Sequence, residues 1–421
     1  MSWAEEKTLE NFIADQIAGI GALLDPNPVF GFVHHMATLS PSSCIEYIGA
    51  NKKYTPFSLD TDSGAIDLGS WAEFPVLKNN KPCMVKADGT KDYELDPTDY
   101  TKKADGTASD VANTAYSGAG AFSWIQRIYK LEYVSGTDRY VLFCMVKKND
   151  SFEPVGFLDG SNNVLEGVWI PMFYGVKVSS KLTSFATGTA EKNMTTADQK
   201  TAIDAVGSRA RFFGGPIVET IADLLTMWAK TTNLQEAYGL GNSSGYDASD
   251  TVNYGMKANQ VVGGGQFYGT DDGHIVNKIL HSMVLGTYNQ WQRDPYEIVK
   301  NGRVCVSTNY NYALDASGYE DSGINIPDLT ASWKYPNIYV SVPKYGPVPV
   351  PPYNGSTTTG GCDGCYTTAQ SGLVAVCLRF GPCNYALTDG PRARHWGAVA
   401  TSAYWHVGAS LLLLPPVGAA A

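Results

Sequence analysis

The 421-residue chain is 44% hydrophobic and 17% charged, a balance that supports a sizeable packed core and excludes a wholly disordered protein. Its 31 basic and 41 acidic residues give a net charge of −10, and no Lys/Arg cluster interrupts the acidity, so nucleic-acid binding and docking on anionic membranes are excluded as main functions. The 43 glycines, 25 tyrosines and 9 tryptophans, among many Ser and Thr, favour short strands, tight turns and aromatic contact surfaces, and the length suggests about two or three domains.

"MSWAEEKTLENFIADQ" places acids where a signal peptide needs bases, and Leu411–Leu414 is too short to span a bilayer, so neither a secretion signal nor membrane insertion is expected. Ile13, Ile17, Ile20, Leu23 and Leu24 form an apolar stripe that predicts a short helix over 9–24, stopped by "DPNP". From Phe30 to about Val155 the pattern is rich in strands and turns. His34 and His35 are adjacent and therefore point to opposite faces of a strand. "RIYKLEYV" and "RYVLFCMV" flank the turn residues Ser135, Gly136, Thr137 and Asp138, which predicts a hairpin. The stretch 86–118 repeats "ADGT" at Ala87 and Ala104 and reads as an ordered loop or arm rather than core.

"EGVWIPMFYGVKV", from Glu166, predicts a buried strand, and two helices follow. The first has Thr196 as N-cap with Gln199 three residues on, a capping-box pattern. The second opens at Gly215-Pro216 and carries Ile217, Ile221, Leu224, Leu225 and Trp228 as a core-packing stripe. Beyond Gly239 the chain is loop-rich. "VVGGGQFYG" from Val261 lacks the Gly-Lys-Ser/Thr ending of a phosphate loop and reads as a glycine-rich turn. His274 and His281, with Ile275, Ile279 and Leu280, read as a half-buried helix face rather than a ligand pair. "VPKYGPVPVPPYNGSTTTGG" reads as a surface connector, extended and then flexible.

Cys44, Cys83, Cys144 and Cys305 are scattered and read as small buried hydrophobes. Cys362, Cys365, Cys377 and Cys383 could hold zinc, pair as a disulfide or redox couple, or remain unpaired structural thiols. Five residues separate Cys377 from Cys383, wider than a zinc turn, and "YTTAQSG" makes a poor redox helix, so no metal and no cofactor is expected. Neither HExxH nor G-x-S-x-G occurs, and an enzyme is not expected.

The tail "GPRARHWGAVATSAYWHVGASLLLL", 390–414, shows no evident helical or strand periodicity. Tyr and Trp supply rigid contact area at small entropic cost, while Ser, Gly and Asn adapt. Asn384, Tyr385, Arg392, Arg394, His395, Trp396, Tyr404, Trp405 and His406 are of the types that populate contact surfaces. Trp405, Val407 and the leucines after Ser410 read as core.

"CLRFGPCNYALTDGPRARHWGAVATSAYWHVGASL" resembles the C-terminal variable region of bacteriophage proteins diversified by diversity-generating retroelements, which have a C-type-lectin-type fold. The resemblance rests on the "LR-F/G-G" start at Leu378–Gly381, the "G-x-R" at Gly390 and Arg392, and the closing "Y-W-x-hydrophobic-G-A-S-L" at Tyr404–Leu411. Upstream, "PCMVKADGTKDYELDPTDYTKKADGTASDVANTAYSG" resembles a segment frequent in gut-phage tail and receptor-binding proteins. Such elements randomise template adenines, and asparagine codons changed in this way never yield Lys, Glu, Gln or Met. Between Cys383 and Ser410 none of those four residues occurs. Pro382 and Cys383 depart from the usual Gly-Ser after "LRFG", and the Glu-Pro-Asn and Trp-Asn-Asp motifs of calcium-dependent sugar-binding lectins are absent.

The resemblance implies an α+β chain with a β-rich N-terminal attachment and oligomerisation region, 1–160. A C-type-lectin-like (formylglycine-generating-enzyme-like) display domain follows at 161–421, with a variable region at about 383–410. It places the exposed ligand-binding positions at Asn384, Tyr385, Asp389, Ala393, Arg394, His395, Gly397, Ala398, Ser402, Tyr404 and His406, with Trp405 and Gly408 as scaffold. The implied function is host attachment at a phage tail. The implied partners are a bacterial surface protein or glycan and other tail proteins, in a homo-oligomer for which a trimer is the family type. Such a protein is made in the host cytoplasm without a signal peptide and works on the virion. Two alternatives stand beside it. One is an oxidase akin to formylglycine-generating enzymes using Cys362/Cys365 or Cys377/Cys383; the other is a purely structural tail or baseplate protein.

Overall fold

The apolar run at the chain end becomes an interior strand. In the computed structural model, which describes residues 26–60, 65–261, 267–268, 276–277, 279–326, 332–367 and 374–418, Leu411–Leu413 lies between Ala210–Phe212 and Gly167–Pro171. Leu413 pairs with Trp169 on one side and Ala210 on the other. The sheet continues through Gly120–Gln126, Pro82–Val85, Lys91–Asp96 and Asp99–Lys103. This sheet and the main apolar cluster draw residues from both sides of position 160, so the expected division at 160/161 does not bound a separate core. The fold is β-rich, about 35% strand and 12% helix.

A second, four-stranded antiparallel sheet has the order Ile45–Gly49, Phe30–His35, Asp138–Cys144, Tyr129–Ser135. Its last two strands are the expected hairpin, with Ser135 paired to Asp138. Strand alternation separates the two histidines as expected. His34 is buried, while His35 reaches Asp138 at 2.9 Å and Glu46 at 3.2 Å at the surface. The 86–118 stretch is more regular than its composition implies, because two of its strands extend the large sheet and bury Leu95 and Tyr100.

The third sheet carries the tail. Its order is Glu320–Asn325, Arg303–Val306, Trp291–Lys300, Val374–Phe380, Gly390–His395, Cys365–Thr367, Ser332–Lys334, and Val407–Gly408 adds in parallel to Trp291–Lys300. The Pro-rich segment is not a loose connector but a hairpin, Ile338–Val342 against Gly346–Val350, that buries Tyr345 and Val348.

Both expected helices form. In Thr196–Asp204 the capping box sits one residue earlier than its sequence pattern suggests: Thr195 is the N-cap and Asp198 its partner. Pro216–Ala229 begins at the expected proline but is buried on every face, including Glu219 and Asp223. Its N-terminus receives a carboxylate from a strand, since the Gly215 N–H donates to Asp294 Oδ1 at 2.8 Å. A Cβ at Gly214 would lie 2.5 Å from that oxygen, so glycine is what permits the approach. The carboxylate satisfies a helix N–H and meets the positive end of the helix dipole. The expected helix over 9–24 and most of the 261–279 segment, with its glycine-rich turn and His274, lie outside the described residues.

Leu413→Ala removes a fully buried side chain from the centre of the large sheet. A loss of about 2–5 kcal/mol is expected, read in urea as a lower unfolding midpoint at unchanged slope. An unmoved midpoint contradicts this placement of the chain end.

Candidate ligand-binding surface

Strand Gly390–His395 divides its side chains by simple alternation. Arg392 and Arg394, with Trp396 just beyond the strand, face a buried ionic cluster, while Ala393 and His395 face the opposite side. The tail thus has strand periodicity after all; two arginines on the inward face disguised it.

Arg379 and Arg394 are directly opposite each other on neighbouring strands, and both are fully buried. Two adjacent guanidinium ions in the interior need compensation on all sides. Arg379 donates to Asp294 at 3.0 Å, Glu219 at 2.6 Å and Glu297 at 2.7 Å. Arg394 donates to Glu219 and to Glu297 at 3.2 Å, and Arg392 to Glu219 at 3.3 Å and to Asp223. Trp396 Nε1 and Tyr345 Oη also donate to Glu297, at 2.5 and 2.9 Å. Asp223 extends the cluster to Arg139 and Lys130, which both meet Glu132. Five carboxylates therefore face five cations: Glu132, Glu219, Asp223, Asp294 and Glu297 against Lys130, Arg139, Arg379, Arg392 and Arg394. Burial alone would push the Glu297 carboxyl up, but Arg379 and Arg394 outweigh it and hold it down to about 2. At Asp294 burial wins over Arg379 and the carboxyl rises to about 6.

This arrangement corrects part of the expected contact surface. Arg394 is spent on the ionic cluster. Ala393 and Ala398 pack with Trp291, Leu378 and Val407 in a small apolar cluster. Asp389 is fully buried with neither carboxylate oxygen partnered among the described residues; burial, then the nearby Asp363, push its carboxyl well above the usual range. A Cβ at Gly381 would lie 1.8 Å from Asp389 Oδ1, so this carboxyl is wedged under the turn rather than offered to solvent. These four positions are interior.

The other positions reach or approach the surface. Asn384 and Tyr404 are exposed, Tyr404 by 51%, and Tyr385, His395, Gly397, Ser402 and His406 are half-buried. Their backbone is pinned. The Tyr404 carbonyl accepts from the N–H groups of Asn193 at 3.2 Å and Val407 at 3.1 Å. The buried Arg293 guanidinium donates to the carbonyls of Ser402 and of Met194, the latter at 3.0 Å. Burial depresses both histidines to about 4, so they are neutral at pH 7. The Gly397 N–H donates to His395 Nδ1 at 3.1 Å, which requires that nitrogen to be unprotonated.

Distant segments add aromatic rings that sequence reasoning did not assign to the surface. Tyr366 stacks on His395 at 4.5 Å, and Trp333 lies 5.2 Å from Tyr385 and 6.1 Å from the buried Trp291. Beside them, Tyr246 and Tyr254 flank Trp405 at 5.6 and 4.6 Å, and Tyr404 is parallel to His406 at 5.7 Å. Trp405 is therefore half-buried in an aromatic group and not core, whereas Val407 and Leu411–Leu414 are core as expected. Gly408 is scaffold: a Cβ there would lie 2.3 Å from Gln290 Oε1. Tyr246 is held by its backbone N–H to the Cys383 carbonyl at 3.0 Å. The sequence signals for these partners are the chain's high tyrosine content and its loop-rich character beyond Gly239.

Cys362, Cys365, Cys377 and Cys383 are all buried free thiols. Burial pushes Cys362, Cys365 and Cys383 up to about 12 and Cys377 well above the usual thiol range. Among the described residues, no group of three or more His, Cys, Asp or Glu side chains could hold a metal ion. Comparison with protein-family models gives no match for the chain, and comparison with curated proteins gives none either.

Asp363 supplies a pH test of the buried frame. Burial pushes its carboxyl up to about 7, against the 2.7 Å hydrogen bond from the Arg392 N–H. A carboxyl raised on folding stabilises fully below its unfolded value, about 4, and that contribution is lost as pH rises through the folded value. Asp363→Asn keeps an acceptor for Arg392 and removes the titration. The variant should lose less stability than the parent between pH 4 and pH 7 in denaturant titrations; parallel pH profiles contradict the assignment.

Proposed function

We propose that the chain is a receptor-binding protein of a phage tail, diversified by a retroelement. On this reading a C-type-lectin-type domain displays the tail surface to a protein or glycan on the bacterial host. The carrying observation is at Tyr404, where a half-exposed side chain stands on a backbone whose carbonyl accepts from both the Asn193 and Val407 N–H groups. Such a position accepts many side chains without disturbing the fold, as a diversified contact surface requires. The rings of Tyr246, Tyr254, Trp405, Tyr366 and Trp333 widen the surface with rigid area suited to binding. Both nearby histidines are neutral, so contact rests on aromatic stacking and hydrogen bonding more than on charge. Several copies on one virion, in a homo-oligomer that includes the trimer of the family type, would multiply a weak single contact.

The oxidase alternative needs a low-pKa thiolate, and burial pushes all four candidate thiols the other way.

Purified chain should bind host cells and block adsorption of the phage that encodes it. Replacing Tyr246, Tyr404 and His406 together by Ala should abolish both effects with thermal unfolding unchanged. Undiminished adsorption blocking by the folded triple variant contradicts the proposal. A nearby reverse-transcriptase gene with a near-copy of the 3′ coding segment, differing only at adenines, is the expected genomic context.

A further inference from the structure

A hollow of about 320 Å³ lies on the large sheet and shares no residue with the tail surface. Its floor comes from two neighbouring strands. Trp124 is paired opposite Trp169, and Gln126 opposite Gly167. The two indoles lie 4.7 Å apart at 57°. Strand alternation puts Trp124 and Gln126 on one face, and the position facing Gln126 has no side chain. A Cβ at Gly167 would sit 2.3 Å from the Trp124 ring, so glycine at 167 is what lets that ring lie flat against the neighbouring strand and form the floor.

The rim is polar and balanced. The Asn79 and Gln126 amides, joined at 2.6 Å, stand at its edge. Lys91 with Glu94 at 3.0 Å, and Glu166 with Arg127 at 2.9 Å, bring charges that are already paired. Lys81 and Lys91 oppose Glu94 and Glu166 within the lining, so neither an anion nor a cation is favoured. Trp124 and Trp169 are only 5% and 1% exposed, leaving little apolar area for a lipid or an apolar peptide to cover. The volume is at the small end of ligand sites, about 300–1,000 Å³, which suits one ring-sized molecule rather than a chain. Amides donate and accept, carboxylates accept and ammonium groups donate; together they match a ligand dense in hydroxyls.

We propose that this hollow is a binding site for a neutral saccharide, with Asn79 and Gln126 reading its hydroxyls at the rim and Trp124 beneath it. The site is separate from the tail surface, so the chain carries two recognition sites of different construction. One is built on side chains at the end of a strand; the other on a tryptophan seated over a glycine.

Saturation-transfer NMR on the full chain tests this with glucose, galactose, mannose, N-acetylglucosamine, maltose and lactose as probes. Inorganic phosphate and tetramethylammonium serve as charged controls. Saturable transfer to at least one sugar is expected, with affinity falling about fivefold or more in Asn79→Ala/Gln126→Ala, as loss of hydrogen bonds to a ligand implies. Asn79 is exposed and Gln126 half-buried at the end of its strand, so that variant should unfold close to the parent's temperature; Glu94→Gln, which keeps the shape, is the second reporter and should also weaken binding. Transfer to no sugar, equal transfer in both variants, or saturable binding of a charged control in place of sugars overturns the proposal. Tyr404→Ala should leave sugar transfer unchanged, which separates this result from that of the tail surface.

Discussion

Arg379 and Arg394 stand side by side in the interior, and the rest of the structure is arranged so that they can. Their repulsion is cancelled by Glu219 from the central helix and by Glu297 and Asp294 from the adjoining strand. Arg392 and Asp223 carry the same network to Arg139 and Lys130 in the four-stranded sheet. Such a cluster adds little net stability relative to a well-packed apolar one, because desolvation offsets attraction. Removing a single member is another matter, costing about 3–5 kcal/mol through the charge left unpaired. The effect is positional. The ion pairs tie the helix, the tail strand and two sheets to one another.

That constraint decides which residues of the tail are free. Since Arg392, Arg394 and Trp396 must face the cluster, strand geometry turns Ala393 and His395 the other way. Beyond the strand the backbone is tied down by Arg293, Asn193 and Val407, while Tyr404 projects into solvent. Rigid backbone and replaceable side chains are thus two outcomes of one buried network. The same division explains why a sequence segment that looks uniformly suited to contact is half interior.

The elements legible in the sequence were those with local causes. The hairpin at 129–144 announces itself through its turn, the central helix through Pro216 and its stripe, and the separation of His34 from His35 through strand alternation. The capping box was legible to within one residue, because Thr195 and Thr196 both offer a hydroxyl. Arg394 was misplaced because its partners are 97 and 175 residues away, and an arginine without visible carboxylates reads as surface. The Pro-rich hairpin was missed because proline ordinarily breaks a ladder. Pro347 and Pro349 alternate, so both missing N–H groups fall on the same edge, and the residues between them can still pair. The aromatic neighbours Tyr246, Tyr254, Trp333 and Tyr366 come from segments with no periodic signal, and only folding brings them to the tail.

The most direct test of this division is a saturation substitution scan of 374–410, scored by protease resistance of the folded chain. The account predicts that Arg379, Asp389, Arg392, Arg394, Trp396 and Gly408 tolerate almost no replacement, whereas Asn384, Tyr385, Ser402, Tyr404 and His406 accept most residues. Equal tolerance at Arg394 and Tyr404 would contradict it.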